Sequence, residues 1–166
     1  GIGLSSQVNQ QVPREAKHRF GPFAYAYYAF RVARRMRPFK LRLLQDEQEK
    51  VLKTLQVTVC NGKFYGTGLT IAKDAEITDG KLDLMSVEVE GFWQGLKLIP
   101  AFFRNRAEEK YEVKMYQGSK FTLRAKRAMH VDLDGEIRTR TPVEFGVLPK
   151  ALKMFVPAEV IPVADQ

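Results

Sequence analysis

The chain has 166 residues, of which 45% are hydrophobic and 28% are charged. A largely disordered chain is excluded, and so is a membrane-spanning bundle, because no run approaches the ~20 apolar residues of a spanning helix. The single cysteine, Cys60, excludes an internal disulfide, and the net charge of +8 predicts either an anionic partner (nucleic acid, phosphate or an anionic membrane) or only good solubility.

The N-terminal part of the chain is predicted to be helical. A short helix is expected over residues 3–12, and an aromatic-rich helix over residues 23–36, which Pro22 begins and Pro38 ends. Its aromatic body and basic C-terminal end would suit a membrane interface. The alternative, which we favour for most of the aromatic residues, is that they belong to the core. Four basic residues form that end: Arg31, Arg34, Arg35 and Arg37.

From residue 51 onwards the pattern becomes that of β-strands. Residues 51–59 alternate in polarity and predict one strand, which the turn signal Asn61-Gly62 follows. A glycine-interrupted strand is expected over residues 64–72, and another over residues 82–89.

The remainder of the chain mixes one helical segment with short strands. Residues 91–106 have a helical pattern, although Pro100 argues against one continuous helix. Short strands with regular turns then predict a mainly β fold with flanking helices, either an antiparallel β-sandwich or a barrel, without an internal domain boundary. These strands are expected over residues 111–116, 120–125, 129–133, 144–148 and 152–156.

Most familiar catalytic motifs are absent from the sequence. It contains no Gly-x-Gly-x-x-Gly or Walker motif, and neither His18 nor His130 has a metal or triad spacing to Cys60. Cys60 itself is interpreted as a small apolar residue rather than a nucleophile.

Acidic residues beside two turns remain as candidates for chemistry. Asp132, Asp134 and Glu136 alternate across the turn Asp134-Gly135. In the other segment, Glu76 precedes the turn Asp79-Gly80, to which Asp79 itself belongs. On local sequence alone, each segment is explained by the preference of Asp-Gly for tight turns. The functional alternative is a carboxylate held rigidly beside a turn, where it can accept a hydroxyl proton or bind a metal.

Four segments occur in an order that resembles a known family. Together they are similar to the C-terminal domain of the bacterial diacylglycerol kinase and lipid kinase family, which is related to sphingosine and ceramide kinases. The resemblance extends from Gly1 to about residue 157. The segments are residues 61–68, 71–75, 79–83 and 134–136.

The resemblance implies a two-lobed, ATP-dependent kinase that phosphorylates a lipid hydroxyl, with ATP and Mg²⁺ as cofactors. Residues 1–166 would form the C-terminal, lipid-binding β-sandwich lobe. The Gly-Gly-Asp-Gly-Thr motif of the ATP-binding lobe is absent and the chain opens without an initiator Met at Gly1. We therefore expect a fragment that lacks the N-terminal lobe and is inactive alone.

The resemblance also implies roles for individual residues. Glu136 would be the general base that takes the proton of the acceptor hydroxyl, and Asp134 would shape the turn and support the Mg²⁺ network. A structural metal site would fall on Glu76, Asp79 and Lys81, with Lys81 contributing only its carbonyl oxygen. Most ATP contacts would lie in the missing lobe, so no nucleotide-binding residue is assigned.

The expected partners are a lipid substrate and an anionic membrane surface, which places the protein in the cytoplasm at the inner membrane face. A homodimer through an edge strand is an open possibility, and nucleic acid is not an expected partner. Two alternative functions remain: a basic β-barrel that binds single-stranded nucleic acid through aromatic platforms, and a lobe similar to that of dinucleotide kinases.

Overall fold

The structure is a computed structural model that describes residues 1–11, 27–28, 30–45, 47–65, 69–104, 106, 109–110 and 112–153. Its strands are, in chain order, β1 (Ile2–Gly3), β2 (Phe39–Gln45), β3 (Gln48–Thr54), β4 (Gln56–Cys60), β5 (Phe64–Tyr65), β6 (Leu69–Thr70), β7 (Leu82–Val87), β8 (Val113–Gly118), β9 (Lys120–Ala125), β10 (His130–Leu133), β11 (Glu136–Arg140) and β12 (Val143–Gly146). The helices whose bounds are described are α1 (Leu4–Gln11) and α2 (Phe92–Phe103), and residues 27–28 and 30–35 are also helical.

The strands form two main antiparallel sheets. One has six strands in the order β11-β10-β1-β4-β7-β8, and the other has four in the order β12-β9-β2-β3. β5 and β6 form a separate small hairpin. The described strands therefore confirm the predicted mainly β, antiparallel sandwich, and the barrel considered as an alternative is wrong. None of the described helices has the length and apolarity needed to cross a bilayer.

Two hydrophobic clusters divide the domain into three layers. Leu84 and Met85 are neighbours on β7, so their side chains point to opposite faces of the six-stranded sheet. Leu84 packs in the cluster between the two sheets, whereas Met85 packs in a second cluster with residues of both helices. The six-stranded sheet is thus the middle layer, with the four-stranded sheet on one side and the helices on the other.

The segment predicted as one strand over residues 51–59 is two strands in different sheets. β3 pairs with β2 and β4 pairs with β7, and the chain changes sheet at Leu55. The buried Thr54 hydroxyl lies 2.8 Å from the Gln56 carbonyl oxygen and 2.9 Å from that of Val87, so it holds the corner together. The sequence does not reveal this corner, because polar and apolar residues continue to alternate through Leu55.

Other expectations about elements have mixed outcomes. The helix expected over residues 3–12 is confirmed as α1, and the strand expected over residues 120–125 is confirmed as β9. The helix expected over 23–36 is observed at residues 27–28 and 30–35; the rest of its N-terminal half lies outside the described residues.

Three further local interpretations are wrong. The single strand expected over residues 64–72 is instead the antiparallel pair of β5 and β6. α2 continues through Pro100, because losing one backbone donor is outweighed by packing of its buried residues Leu98 and Ala101. Asn61-Gly62 does not join paired strands, since β4 pairs with β1 and β7 while β5 pairs with β6. Residues 151–153 are not a strand, and the remainder of the last predicted strand lies outside the described residues.

Candidate functional site

The acidic hairpin between β10 and β11 is the tighter of the two candidate turns. Asp134 and Gly135 form its two-residue turn with φ angles of 48° and 84°. Two consecutive positive φ values define the turn whose twist matches that of antiparallel strands, and Asp-Gly is a preferred sequence for it. Leu133 pairs with Glu136, so Glu136 is the first residue of β11. The predicted hairpin is confirmed.

Asp132 supports this hairpin from inside the fold. Its side chain is 0% exposed, and its Oδ1 accepts a hydrogen bond of 2.7 Å from the Ser5 hydroxyl at the start of α1. Its backbone N–H donates to the Gly1 carbonyl oxygen at 2.9 Å. A Cβ at Gly1 would collide with Ser5 Oγ and lie 2.8 Å from Asp132 Oδ1. Only glycine permits this close approach at position 1 without a shift of those groups.

Gln56 extends this support to β4. Its Oε1 accepts from the Ser5 N–H at 2.9 Å, and its Nε2 donates to the Ser5 hydroxyl at 3.0 Å. One network therefore connects α1, β4 and β10 beneath the turn. The alternation of three acidic residues gave no sign that Asp132 is structural while the next two are exposed, because the sequence does not show that α1 packs against β10.

The two other acidic residues of the hairpin point into solvent. Asp134 and Glu136 are exposed, and the Glu136 carboxylate forms an ion pair with Arg138. Asp132 pairs with Ile137 and Val131 with Thr139, so Arg138 is an extra residue that bulges from β11. Such bulges redirect side chains at functional edges. The hairpin thus combines strands that are anchored in the fold with a carboxylate that is accessible to solvent.

The second acidic turn, at Asp79-Gly80, is largely self-contained. Asp79 Oδ1 accepts a 2.8 Å hydrogen bond from the Lys81 N–H, and Gly80 has φ of 71°. The Lys81 ammonium donates to Gln117 Oε1 at 3.3 Å. Glu76 is exposed on the segment that precedes the turn.

The oxygen donors of this turn fit a hard cation in chemical type, but their number is small. Asp79 has a second carboxylate oxygen that could bind a cation. The Lys81 ammonium has no lone pair, so Lys81 could contribute only its carbonyl oxygen. Across the described part of the chain, no group of three or more His, Cys, Asp or Glu side chains could hold a metal ion. The assignment of Glu76, Asp79 and Lys81 to a metal site stays a prediction.

The sheet topology brings the two acidic turns to the same end of the six-stranded sheet. Val131, Ile2, Val57 and Ser86 form one row across β10, β1, β4 and β7. Because neighbouring strands are antiparallel, β10 ends at the edge where β7 begins. Three strand spacings separate β10 from β7, or roughly 14 Å. Turns that lie some 50 residues apart in sequence therefore share one edge of the domain.

Cys60 lies at this edge between the two turns, at the end of β4. Its thiol contacts the Asp83 carbonyl oxygen at 3.6 Å. Burial, and then the nearby Asp83 carboxylate, raise the pKa of Cys60 to about 11. A thiol with so high a pKa remains protonated near neutral pH, which supports the interpretation that Cys60 is not a nucleophile.

Two cavities among the described residues include His130, which lies at the end of β10 away from the acidic turn. One of about 320 Å³ is lined by α1 residues, including Gln7 and Gln10, and by Met129 and His130. A second, of about 520 Å³, lies between His130 and the β11 residues Ile137–Arg140. Both have many polar lining groups, so neither resembles a compartment for acyl chains.

A nucleic-acid platform is not present on the outer face of the four-stranded sheet. Lys40 lies opposite Lys53, and Arg42 opposite Arg124, so this face is basic. The aromatic residues of the same strands instead pack toward the interior: Phe39, Phe121 and Phe145. Among the described residues, the face therefore lacks the aromatic side chains on which bases would stack.

The fold is a β-sandwich domain that presents an acidic hairpin at one edge of its six-stranded sheet. Residues 1–156 match the family described as the YegS C-terminal NAD kinase beta sandwich-like domain, and the chain belongs to this family. The resemblance inferred from the ordered turns is confirmed.

Individual relatives agree with this assignment. The chain is 26% identical over 168 residues to an uncharacterized protein of Synechocystis sp., with 96% of this chain and 38% of that protein covered. It is 27% identical over 164 residues to a Staphylococcus epidermidis protein named "Putative lipid kinase", with 96% of this chain and 52% of that protein covered. The chain thus spans about half or less of the length of these relatives.

A solved structure supports the fold independently. The crystal structure titled as that of a "putative diacylglycerol kinase" from Bacillus anthracis superposes with a TM-score of 0.66 at 24% identity. The match covers 89% of this chain and 48% of that one. At this identity, the likeness concerns the fold.

Proposed function

We propose that this chain is the C-terminal lobe of an ATP-dependent kinase that transfers the γ-phosphate of ATP to a lipid hydroxyl, with diacylglycerol or a related lipid as acceptor. The observation that carries the proposal is the β10–β11 hairpin. It presents the accessible carboxylate of Glu136 beside a turn that the buried Asp132 network holds in place. Family membership and a relative named as a lipid kinase supply the reaction class.

Phosphoryl transfer depends mainly on positioning and on charge stabilisation, because little covalent chemistry falls to the protein. In this proposal the Glu136 carboxylate accepts the proton of the lipid hydroxyl as its oxygen attacks the γ-phosphate. Asp134 fixes the left-handed turn that precedes Glu136. Backbone pairing and the Asp132 hydrogen bonds restrict the motion of the hairpin, which lowers the entropy cost of aligning the base.

The ATP and its Mg²⁺ would be bound mainly by an N-terminal lobe that this chain does not include. Mg²⁺ would neutralise charge on the phosphates, and in this proposal Asp134 would support the Mg²⁺ network. A separate structural cation would be held by Glu76, Asp79 and the Lys81 carbonyl at the other turn. We expect this cation to order the turn rather than to take part in transfer.

A second candidate is a kinase with a soluble dinucleotide acceptor. The family description likens the domain to that of NAD kinase, and the described cavities offer polar linings rather than an apolar one. The proposed hydroxyl activation by Glu136 would be the same in both cases. The acceptor is therefore the property that experiment must decide.

The test is an assay of γ-phosphate transfer with the full-length protein that carries this sequence. Purified protein is incubated with labelled ATP and Mg²⁺, and with diacylglycerol, a sphingoid base, a monoacylglycerol or NAD as acceptor. We expect labelled product with one lipid class and none with NAD. Transfer to NAD alone would replace the lipid by a dinucleotide, and no transfer to any acceptor from folded, ATP-binding protein would overturn the proposal.

The same assay on residues 1–166 tests the two-lobe arrangement. The isolated chain should give no transfer to any acceptor, because the main ATP contacts are assigned to another lobe. Robust ATP-dependent lipid phosphorylation by this chain alone would contradict that assignment.

A further inference from the structure

A group of exposed aromatic side chains lies on the helical layer of the domain. The Phe30 and Phe92 rings meet edge to face with centroids 5.4 Å apart, and the Phe92 and Trp93 rings do so at 5.2 Å. Trp93 is 74% exposed, Phe30 53% and Tyr27 60%. Leu96, one turn after Phe92 on α2, is also exposed. We call Tyr27, Phe30, Phe92, Trp93 and Leu96 the aromatic patch.

The patch is built from two segments, the first at residues 27–28 and 30–36 and the second formed by α2. The opposite side of each segment packs in the core. Val32 and Met36 of the first segment are buried, and so are Leu98 and Ala101 of α2. The segments are therefore held rigidly by packing, and the exposed rings are not the result of a loosely attached helix. Contiguous apolar surface of this kind marks an interaction site in a soluble domain.

Cationic side chains border the patch. Arg34 lies one turn after Phe30, and Lys97 one turn after Trp93, so each shares a helix face with an exposed ring. Arg31 and Arg104 are exposed on the same two segments. Glu90, two residues before Phe92, is an exposed carboxylate nearby in sequence. The border is thus predominantly positive.

We infer that the aromatic patch is the surface that docks the protein on an anionic lipid bilayer, with Trp93 inserted at the headgroup level. Tryptophan and tyrosine favour the membrane interface, where an apolar ring and a polar group are both accommodated. Lysine and arginine beside them attract anionic headgroups. The combination matches an interfacial amphipathic surface, in which apolar rings insert at the headgroup level and the surrounding cations contact anionic headgroups.

The inference deepens the proposed function, since it takes as partner the bilayer that contains the lipid substrate. It also corrects part of the sequence interpretation. Among the described aromatic residues of the first segment, Tyr28 packs against the core as expected, but Tyr27 and Phe30 are exposed. Trp93, which lies in the segment predicted to be helical over residues 91–106, is the most exposed ring of the patch.

Trp93 is the only tryptophan of the chain, so its fluorescence reports on the patch alone. The 166-residue chain is titrated with phosphatidylglycerol vesicles and, separately, with phosphatidylcholine vesicles, both without ATP. We expect a blue shift of the emission and quenching by brominated phosphatidylglycerol, with at least tenfold weaker binding to phosphatidylcholine. An emission maximum that does not change with phosphatidylglycerol would overturn the inference.

Vesicle sedimentation with matched variants locates the binding surface. Phe30→Ala/Trp93→Ala should weaken binding at least tenfold, and Leu96→Ala should weaken it more than Leu148→Ala, which alters an exposed leucine outside the patch. Arg31→Gln/Arg34→Gln should weaken binding more than Arg42→Gln/Arg124→Gln, which removes two cations from the four-stranded sheet. If the Arg42/Arg124 variant lost more binding than the Arg31/Arg34 variant, the four-stranded sheet would be the docking surface and the inference would be wrong.

Binding is measured without turnover, so the inference and the proposed function can fail separately. If the protein binds vesicles through Trp93 but phosphorylates only NAD, the inferred docking surface stands and the proposed lipid acceptor is wrong. A blue shift that depends on protein concentration, and not on vesicles, would show that a second copy of the chain covers the patch, and the inference would be wrong.

Discussion

The two acidic turns of this domain contain the same Asp-Gly signal but are supported in different ways. The Asp79-Gly80 turn is closed by its own residues, through the hydrogen bond from the Lys81 N–H to the Asp79 side-chain oxygen Oδ1. The Asp134-Gly135 turn lies on the paired strands β10 and β11 and is anchored by a buried carboxylate, Asp132. A carboxylate beside the Asp134-Gly135 turn is therefore positioned by contacts from distant parts of the fold, which is the property a catalytic base requires.

The largest expected difference between the turns is in catalysis. In the full-length protein, Glu136→Gln should lower the rate of lipid phosphorylation by roughly 100-fold or more, because the amide cannot accept the hydroxyl proton. Its thermal stability should be unchanged, since Glu136 is exposed. Glu144→Gln, which alters another exposed strand glutamate in an ion pair, is the matched control and should keep wild-type activity. Comparable losses in both variants would remove the special role of Glu136.

The next largest effect is expected from the buried anchor. Asp132→Ala should lower the free energy of unfolding by about 2 kcal/mol, because the Ser5 hydroxyl loses its charged acceptor inside the fold. Asp132→Asn keeps an oxygen acceptor at that place and should recover part of the loss. Urea unfolding of the two variants measures both values. If alanine were no worse than asparagine, the hydrogen bond would not be what holds the hairpin.

Glycine substitutions compare the two turns most closely. Gly135 and Gly80 both have positive φ, and a Cβ at either position meets nothing within 4 Å. Gly135→Ala and Gly80→Ala should therefore each destabilise the fold by about 1 kcal/mol, through the left-handed backbone alone. Only Gly135→Ala should also reduce phosphate transfer. Equal activity losses would show that both turns, or neither, position the reacting groups.

A smaller effect concerns the predicted structural cation. Removing the Asp79 acceptor in Asp79→Ala should cost about 1 kcal/mol of unfolding free energy. If Glu76, Asp79 and the Lys81 carbonyl bind Mg²⁺, added Mg²⁺ should raise the melting temperature of the wild-type chain and not that of the variant. Calorimetry with and without Mg²⁺ checks this, and an equal Mg²⁺ response of both proteins would place the cation elsewhere.

The last effect is confined to alkaline pH and is the pH response of Cys60, which lies between the turns. The folded pKa of about 11 is above the ordinary value of 9.0, so the unfolded chain loses this proton first as pH rises. Stability from this group is therefore complete below about pH 9 and declines between pH 9 and 11. The difference between wild type and Cys60→Ala in thermal melts should show this decline. A difference that stays constant with pH would mean that the thiol is accessible to solvent.

Several parts of the structure could be predicted because their signals are local. Alternating polarity identifies β9, and the conformational demand of Asp-Gly identifies the β10–β11 hairpin. The shared sheet edge of the two turns could not be predicted from either turn. It follows from the order of β10, β1, β4 and β7, and β1 contains only two residues.

The features that sequence reasoning missed depend on contacts between distant segments. The change of sheet at Leu55 relies on Thr54 reaching Val87, 33 residues away. The role of Asp132 relies on Ser5, 127 residues away. The exposure of Trp93 depends on which side of α2 faces the sheet, and a helical pattern with apolar residues on more than one side does not decide this.

The most direct test of the account is the pH dependence of kcat/KM for lipid phosphorylation, in the full-length protein and in its Glu136→Gln variant. A general base must be ionised, so the wild-type rate should fall tenfold per pH unit on the acidic side. The variant should keep a low rate that lacks this acidic limb. An acidic limb of the same shape in the variant, or a rate close to that of the wild type, would contradict the assignment of Glu136 as the base.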